Sequence, residues 1–142
     1  MAGYSWKWVT KGRTYEKCKE EGLWDIDIDG HHYIWNTDSD AWITSEHSVD
    51  EIGCVHTTQG FDLNYVGVIF GKEIDYDPVS DRIVIDPKQF HDVKVKFDTD
   101  EEKLHEYIIN TYKVLLTRGI KGCYVYVCNE NLRRYMNRFI DY

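Results

Sequence analysis

The sequence predicts an α/β fold in which a mixed or parallel sheet is flanked by helices. Short β-rich runs at residues 65–70 and 123–128 are separated by a segment whose apolar residues recur at helical spacing. Strands that alternate with helices in this way are typical of parallel or mixed sheets. Two turn-punctuated hairpins, near residues 24–36 and 74–86, are expected to be insertions in this pattern.

Length and composition predict a single domain over residues 1–142. A chain of 142 residues has the size of a typical domain, and 42% hydrophobic with 30% charged residues is an ordinary globular balance. The formal net charge of -8 argues against a chain that binds nucleic acid unaided, because such proteins usually carry a basic face.

The sequence also bears on the compartment. It contains no apolar run of about 18 residues and no signal-peptide core, so neither a membrane span nor secretion is predicted. The four cysteines form no CxxC pair, which favours a reduced, cytoplasmic environment. Trp6 and Trp8 of the Trp-rich start are expected to pack either against this domain or against sequence that precedes it, and this start suggests a piece of a longer protein.

The first half of the chain is predicted to contain strands and turns. Residues 4–9 alternate aromatic and polar side chains, which indicates a strand or a docked extended arm, and residues 11–21 resemble a solvated connector. The period-two run 24–28 and the turn at Asp29-Gly30 predict a hairpin. Because this hairpin is polar on one face, we expect it to decorate the edge of the fold.

The segment 51–70 predicts a strand, a polar turn and a second strand. Residues 52–55 are expected to form a short buried strand, and residues 56–60 a turn. Between Gly60 and Leu63 there is room for about one helical turn. Residues 65–70 then form the second buried strand.

The last third predicts a helix, a buried strand at 123–128 and a final helix. Thr99 and Glu102 match a capping box, after which one amphipathic face carries Leu104, Tyr107, Ile108, Thr111, Tyr112 and Leu115. Asn129 is expected to cap the final helix, one side of which carries Leu132, Tyr135, Met136 and Phe139.

The sequence lacks the loop that cradles nucleotide phosphates. The pattern GxxxxGK[ST] does not occur, and Gly71-Lys72 lacks both the upstream glycine and the following hydroxyl. We therefore expect the isolated chain to have no ATPase activity. No metal site is predicted either, because the adjacent His31 and His32 lie on a strand and point to opposite faces.

Two segments resemble conserved motifs of superfamily 1 helicases. Residues 55–69 resemble motif V, in which a His/Thr turn, a Gln or Lys, a Gly and an acid precede a strand. Residues 110–126 resemble motif VI, in which a helix ends in Thr-Arg and a strand follows. The two segments occur in the expected order.

A closer resemblance is to a helicase-like family of unknown function that is related to the Schlafen proteins. It is carried by residues 2–8, by residues 53–60 and by the Thr-Arg-Gly segment 117–119, and it spans residues 2 to about 135. The resemblance implies the second, C-terminal RecA-like half of a P-loop NTPase. The Walker loops, ATP and Mg²⁺ would then belong mainly to the N-terminal RecA-like domain of the same protein.

The resemblance implies a catalytic role for Arg118. In superfamily 1 helicases the matching arginine reaches across the interdomain cleft to the γ-phosphate, where a permanently charged fork suits the developing charge. The alternative is a surface arginine that hydrogen-bonds the last carbonyls of the preceding helix.

The motif V-like segment is expected to contact nucleotide and nucleic acid. Gln59 and Gly60 match a turn whose backbone N–H groups can face phosphate, and Asp62 matches an acid that contacts the ribose, although Glu is usual there. His56, Thr57 and Thr58 match positions that contact the backbone of single-stranded DNA or RNA. The alternatives are an ordinary strand-to-helix turn for Gln59 and Gly60, and a solvated or helix N-terminal carboxylate for Asp62. For His56, Thr57 and Thr58 the alternative is local capping.

Three functions follow from these expectations. The first is the motor domain of an ATP-dependent DNA or RNA helicase or translocase, which is inactive alone. The second is a non-catalytic helicase-like interaction module, which the acidic charge and Asp62 favour. The third is a nucleic-acid binder without ATPase activity. Whether the chain is part of an enzyme is left open by the sequence.

Overall fold

Within residues 1–140, which a computed structural model describes, the chain is mixed α/β with small sheets flanked by helices. The helices are α1 (Tyr15–Glu21), α2 (Val55–Thr58), α3 (Val93–Asp98), α4 (Glu101–Leu116) and α5 (Glu130–Met136). The strands are β1 (Ile26–Ile28), β2 (His31–Trp35), β3 (Glu51–Ile52), β4 (Leu63–Phe70), β5 (Ile74–Asp77), β6 (Arg82–Ile85) and β7 (Gly119–Val127).

The central unit consists of β4, α4 and β7. Strands β4 and β7 pair in parallel, and the chain returns from one to the other through α4, as a parallel pair requires. One face of β4 packs on the apolar face of α4, which confirms the predicted α/β character. The buried residues of this contact are Val66, Val68, Phe70, Leu104, Ile108, Tyr112 and Leu115.

The N-terminal arm, residues 1–10, joins this unit to the sheet β1–β2–β3. Ala2 is fully buried and forms parallel bridges to Cys54 on one side and to Ile69 on the other. Its backbone N–H donates to the Gly53 carbonyl at 3.0 Å. Ala2 thus makes the arm continuous with both sheets. Residues 4–9, predicted as a strand or a docked extended arm, are docked through Tyr4, Trp6 and Trp8, but they form bends and a turn instead of a strand.

The hairpin β1–β2 contributes more to the core than its polar pattern indicates. Strand β2 pairs antiparallel with β1 and parallel with β3. Ile26 and Trp35 are fully buried and form a second core with Ala2 and Cys54. The expectation of an edge decoration is wrong in this respect, because the apolar face of the hairpin covers the N-terminal arm.

Two strands that the sequence predicts to be buried are open on one face. Tyr65 on β4 is 59% exposed and Tyr124 on β7 is 73% exposed. The reason is the layering, since α4 packs on the other face of the β4–β7 pair. Apolar runs alone do not reveal which face of a strand is covered.

Several helix boundaries differ from the predictions. Val55 begins α2 instead of ending a strand, so the helical turn precedes Gly60 instead of following it. Helix α1 replaces the expected connector, with Thr14 as its N-cap. The predicted capping box is wrong, because the Thr99 hydroxyl donates to the Val95 carbonyl at 2.5 Å, and Asp100 caps α4 instead.

At the C-terminal end, Asn129 precedes α5 as predicted, but its side chain donates to the Ile74 carbonyl at 2.7 Å and makes no capping bond. Phe139 lies beyond α5 and is 71% exposed, so it does not extend the buried side of that helix. Leu132 alone of the residues predicted for that side is fully buried.

Among the described residues, no helix combines the length and the apolar character that a bilayer crossing requires.

Candidate functional site

The motif V-like and motif VI-like segments meet at one end of the β4–β7 pair. Leu63 and Gly119, the first residues of the two strands, are register partners. The Leu63 backbone N–H donates to the Arg118 carbonyl at 2.8 Å, which locks the two preceding turns side by side. We call this edge, formed by residues 59–62 and 117–119, the turn rim.

Arg118 is held on the turn rim by carbonyls from both segments. Its Nε donates to the Val114 carbonyl at 3.2 Å, and one terminal nitrogen donates to the Phe61 carbonyl at 3.4 Å. The other terminal nitrogen donates to the Thr117 hydroxyl at 3.3 Å. The expected alternative, helix-end capping by Arg118, is thus part of the geometry, and the contact with Phe61 adds a link to the other motif.

Asp62 forms an ion pair with Arg118. The closest N–O distance is 3.7 Å, and the Asp62 side chain is 68% exposed whereas that of Arg118 is 21% exposed. An exposed pair of this kind contributes about 0–1 kcal/mol. The structure therefore brings together the predicted acid and the predicted arginine.

Gln59 and Gly60 complete the turn rim and are both exposed. Gln59 terminates α2 in an extended conformation, and Gly60 follows with φ of 86°. This left-handed backbone favours glycine. A Cβ built on Gly60 meets no atom within 4 Å, so the glycine is required by conformation and leaves open space above the turn.

The three residues expected to contact nucleic acid lie on α2 but differ in exposure. Thr58 is fully buried, and its hydroxyl donates to the Cys54 carbonyl at 2.9 Å. Thr57 is also buried, and its hydroxyl donates to the Asn36 side-chain carbonyl at 2.5 Å. The Thr58 bond is local, whereas the Thr57 bond ties α2 to a residue 21 positions away in sequence. Both hydroxyls donate to oxygen atoms, so neither makes the bond to a turn N–H that local capping requires. His56 is exposed and its ring lies 5.9 Å from that of Tyr4.

The turn rim lies at an unusual end of the strands for a ligand site. Ligands of open α/β sheets usually bind beyond the carboxyl ends of the strands. The turn rim instead lies at the amino ends of β4 and β7. The turn rim is therefore at the edge opposite to the one that such sheets usually use.

A buried carboxyl group, which sequence reasoning missed, anchors α4 to the turn after β4. The Tyr112 hydroxyl donates to Glu73 Oε1 at 2.5 Å and accepts from the Gly71 N–H at 3.0 Å. Burial raises the pKa of Glu73 above its ordinary value, and burial together with Glu73 raises the pKa of Tyr112. Tyr112 is on the helix that ends next to Arg118, so this network helps to fix the helix that carries the turn rim.

One exposed cluster of potential metal ligands lies far from these motifs in sequence. Oxygen and nitrogen atoms of Glu16, Glu46 and His47 lie within 4.8 Å of one another, and His47 Nε2 lies 2.6 Å from Glu16. The cluster joins α1 to a loop. Long sequence separation explains why it has no motif.

The two motif-like segments, the crossover between them and the pairing of Asp62 with Arg118 belong to one α/β domain. Comparison with known families agrees. Residues 1–129 match the model "Schlafen group 3, DNA/RNA helicase domain", and the chain belongs to this family.

A curated relative is known from yeast. "Uncharacterized protein YPL245W" of Saccharomyces cerevisiae is 34% identical to the chain over 149 residues. The aligned region covers 90% of this chain but 33% of the relative, so the chain spans about a third of that protein's length. No solved structure matches the chain significantly.

Proposed function

We propose that this chain is the C-terminal, RecA-like motor domain of an ATP-dependent DNA or RNA helicase or translocase. The observation that carries the proposal is the meeting of Asp62 and Arg118, 3.7 Å apart, on the turn rim where the two motif-like segments adjoin. Membership of a helicase domain family supports it. In this proposal the site is completed by an N-terminal RecA-like domain of the same protein, which holds ATP and Mg²⁺.

Arg118 acts as the arginine finger of this shared site. Its bonds to the Val114 and Phe61 carbonyls hold the guanidinium at the turn rim, and the exposed Asp62 carboxylate balances its charge. A γ-phosphate that develops more negative charge during transfer competes well with Asp62. Because bonds to carbonyls already hold the guanidinium, little reorganisation beyond the exchange of Asp62 for phosphate is needed.

Gln59, Gly60 and Asp62 bind the nucleotide beside the finger. The space above Gly60 lets the backbone of the turn approach a phosphate closely. Asp62 is exposed and, once Arg118 has turned to phosphate, its carboxylate is free to accept a ribose hydroxyl. Its side chain is one methylene shorter than the usual Glu, so the ribose must lie correspondingly nearer to the turn.

Nucleic acid is contacted through α2. His56 presents an exposed ring, whereas the buried Thr57 and Thr58 hydroxyls hold the backbone of α2 in place. In this proposal the two threonines position His56 instead of touching the strand themselves. Closure of the two RecA-like domains on ATP then couples the turn rim to movement along single-stranded DNA or RNA.

The test is a comparison of ATP turnover. The isolated chain should show none, and a longer natural protein that contains this domain and Walker loops should hydrolyse ATP. In that protein Arg118→Ala should lower kcat by roughly a thousandfold with little change in ATP affinity, as for other arginine fingers. Lys113→Ala, an exposed basic position on α4, is the matched control and should leave kcat unchanged. Unchanged turnover in Arg118→Ala refutes the finger.

A specific observation favours a second function, a non-catalytic interaction module. The open face of β4–β7 exposes Tyr65, Ile120 and Tyr124 at 59%, 70% and 73%. Exposed aromatic groups of this size often mark protein interfaces. If the longer protein lacks a Walker A loop and hydrolyses no ATP, this function replaces the motor.

A further inference from the structure

A cavity of about 640 Å³ lies where the N-terminal arm meets the start of α3. Neither helicase-like motif contains it, although His56 of α2 lies on its wall. We call it the basic–aromatic cavity. Its lining residues are Tyr4, Trp6, Lys7, Trp8, Lys11, His56, His91, Asp92, Val93 and Lys94.

The charge of this lining is opposite to that of the whole chain. The formal net charge of the protein is -8, yet Lys7, Lys11 and Lys94 line the cavity together with a single carboxylate among the described residues, Asp92. That carboxylate already accepts the backbone N–H groups of Lys94 and Val95, at 3.1 and 3.3 Å. The cavity is therefore a local centre of positive charge.

The pKa of His91 responds in part to the same positive charge. Burial and the nearby charges of Lys7 and Lys96 lower the pKa of His91 below its ordinary value. Lys96 is held beside the cavity by a bond from its Nζ to the Phe90 carbonyl at 3.3 Å. A bound anion would relieve the repulsion among these cations.

Aromatic rings alternate with the cations. Tyr4, Trp6 and Trp8 are half-buried, so each shows part of its ring to the cavity. The Lys11 ammonium lies 5.3 Å from the centre of the Trp8 ring, a cation–π contact. Phosphate-binding cations interleaved with flat rings are the combination that recognises single-stranded nucleic acid.

The cavity is built on anchored backbone. The His91 N–H donates to the Tyr4 carbonyl at 2.7 Å, which ties the start of α3 to the arm. Further along the arm, the Thr10 N–H and hydroxyl both donate to the buried Asp25 carboxylate, at 2.9 and 2.5 Å. Lys7 and Trp8 lie between these two anchors, so the wall they form is fixed at both ends.

We propose that the basic–aromatic cavity binds one or two nucleotides of a single-stranded nucleic acid, with phosphates on Lys7, Lys11 and Lys94 and a base against the Trp6 ring. The proposal rests on the proposed function and extends it from His56 to residues outside both motifs. The volume suits a small ligand, in the range typical of ligand pockets, and not a double helix.

The first experiment tests whether the cavity lysines contact phosphate. Fluorescence anisotropy of the 142-residue chain with a fluorescein-labelled oligothymidylate, and with its RNA counterpart, gives the Kd at low salt. Lys7→Ala/Lys94→Ala should weaken binding by about tenfold or more and reduce the slope of log K against log[salt] by roughly 1.4, since each phosphate contact contributes about 0.7 with single strands. The control Lys17→Ala/Lys121→Ala removes the same charge from exposed positions outside the cavity and should change neither value.

The second experiment tests whether a base stacks on the Trp6 ring. Trp6→Ala should weaken binding by about tenfold, and Trp6→Phe should retain most of the affinity, because any aromatic face can stack on a base. Circular dichroism checks that each variant is folded. The lysine variants change exposed side chains, so they test the cavity even if a Trp6 variant unfolds.

Four results overturn the proposal. They are no binding of either oligonucleotide at low salt, equal weakening by the cavity pair and the control pair, equal affinity for a double-stranded DNA of the same length, and displacement of the oligonucleotide by millimolar ATP, which would make the cavity a general polyphosphate site. The arginine-finger proposal is tested separately, by ATP turnover of the longer protein with Arg118→Ala. A negative result for the cavity therefore does not refute the finger, and a negative result for the finger does not refute the cavity.

Discussion

The turn rim and the basic–aromatic cavity are assembled in opposite ways. The turn rim joins two short motifs through one register pair, Leu63 with Gly119, and its central contact is between Asp62 and Arg118. The cavity joins residues 4–11, α2 and residues 91–94, which lie far apart in the sequence. A site within one βαβ unit can be found in sequence, whereas a site between distant segments appears only in the fold.

The two regions also differ in what supports them. The turn rim depends on the packing of α4 against β4 and on the junction with β7. The cavity depends on the arm and its buried anchor, Asp25. Substitutions can therefore damage one region and spare the other, and the following predictions use that independence.

The largest effect is expected from Gly119→Ala, at the start of β7. A Cβ at this position would lie 2.3 Å from the Gly122 carbonyl oxygen and 3.1 Å from Val66. Because backbone cannot yield as a flexible side chain does, we expect a loss of about 3 kcal/mol or more in the free energy of unfolding. Urea denaturation measures it.

The matched control for Gly119 is Gly67→Ala on β4, where a Cβ meets no atom within 4 Å. This variant should change the unfolding free energy by less than about 1 kcal/mol. Equal destabilisation by the two substitutions would show that the junction at the turn rim is not specially constrained.

Asp25→Ala should disrupt the basic–aromatic cavity, because Asp25 anchors the N-terminal arm. The Asp25 carboxylate is buried and accepts from the N–H and hydroxyl of Thr10 and from the Trp35 N–H at 2.9 Å. Its loss leaves these donors unpaired, at a cost of about 2 kcal/mol, and releases the arm. Oligonucleotide affinity should fall with stability, as anisotropy and urea denaturation on the same sample would show. The exposed Asp50→Ala is the control.

A smaller effect, with a definite pH dependence, is expected from Glu73→Gln. Burial raises the folded-state pKa of Glu73, so the folded protein holds its proton more tightly than the unfolded chain. Stability is then greatest below the unfolded pKa and declines as pH rises through the window up to the folded pKa. Glutamine should remove this decline and raise the melting temperature at neutral pH.

Melting curves from about pH 4 to pH 8 test Glu73, with the exposed Glu106→Gln as control. Glutamine retains an oxygen that can accept from Tyr112, so the bond to α4 is preserved. If the melting temperature of Glu73→Gln falls with rising pH as steeply as that of the wild-type protein, the decline belongs to other groups.

The smallest effect is expected from Asp62→Asn. The Asp62–Arg118 pair is exposed on the carboxylate side, and such pairs contribute about 0–1 kcal/mol. Urea denaturation should therefore show a change below about 1 kcal/mol, because the guanidinium keeps its three neutral acceptors. A loss of several kcal/mol would make the pair a structural lock instead of an exchangeable contact.

The elements with periodic patterns were predictable from sequence. The hairpin β5–β6 has its return strand at Arg82–Ile85, and α4 buries Leu104, Ile108, Tyr112 and Leu115 of its predicted face. Both follow from local patterns of two or about 3.6 residues. The meeting of the two motif-like turns was also predictable, because each of them precedes one of the two parallel strands of a βαβ unit.

The rest depends on partners that a local pattern does not specify. The Thr99 hydroxyl bonds back to α3, so the capping box it resembles is taken over by Asp100. Thr57 and Thr58 point inward because Asn36 and the Cys54 carbonyl, not solvent, satisfy their hydroxyls. The cavity was not predicted because its cations are dispersed in a chain of net charge -8.

The central claim is that the turn rim closes over a nucleotide held by another domain. The most direct measurement is amide hydrogen exchange of the longer protein with ADP and aluminium fluoride, which mimics the transferred phosphoryl group. We predict slower exchange at residues 59–62 and 117–119, while residues 91–94 at the cavity stay unchanged without nucleic acid. Unchanged exchange at the turn rim in a sample that has bound the nucleotide would contradict the account.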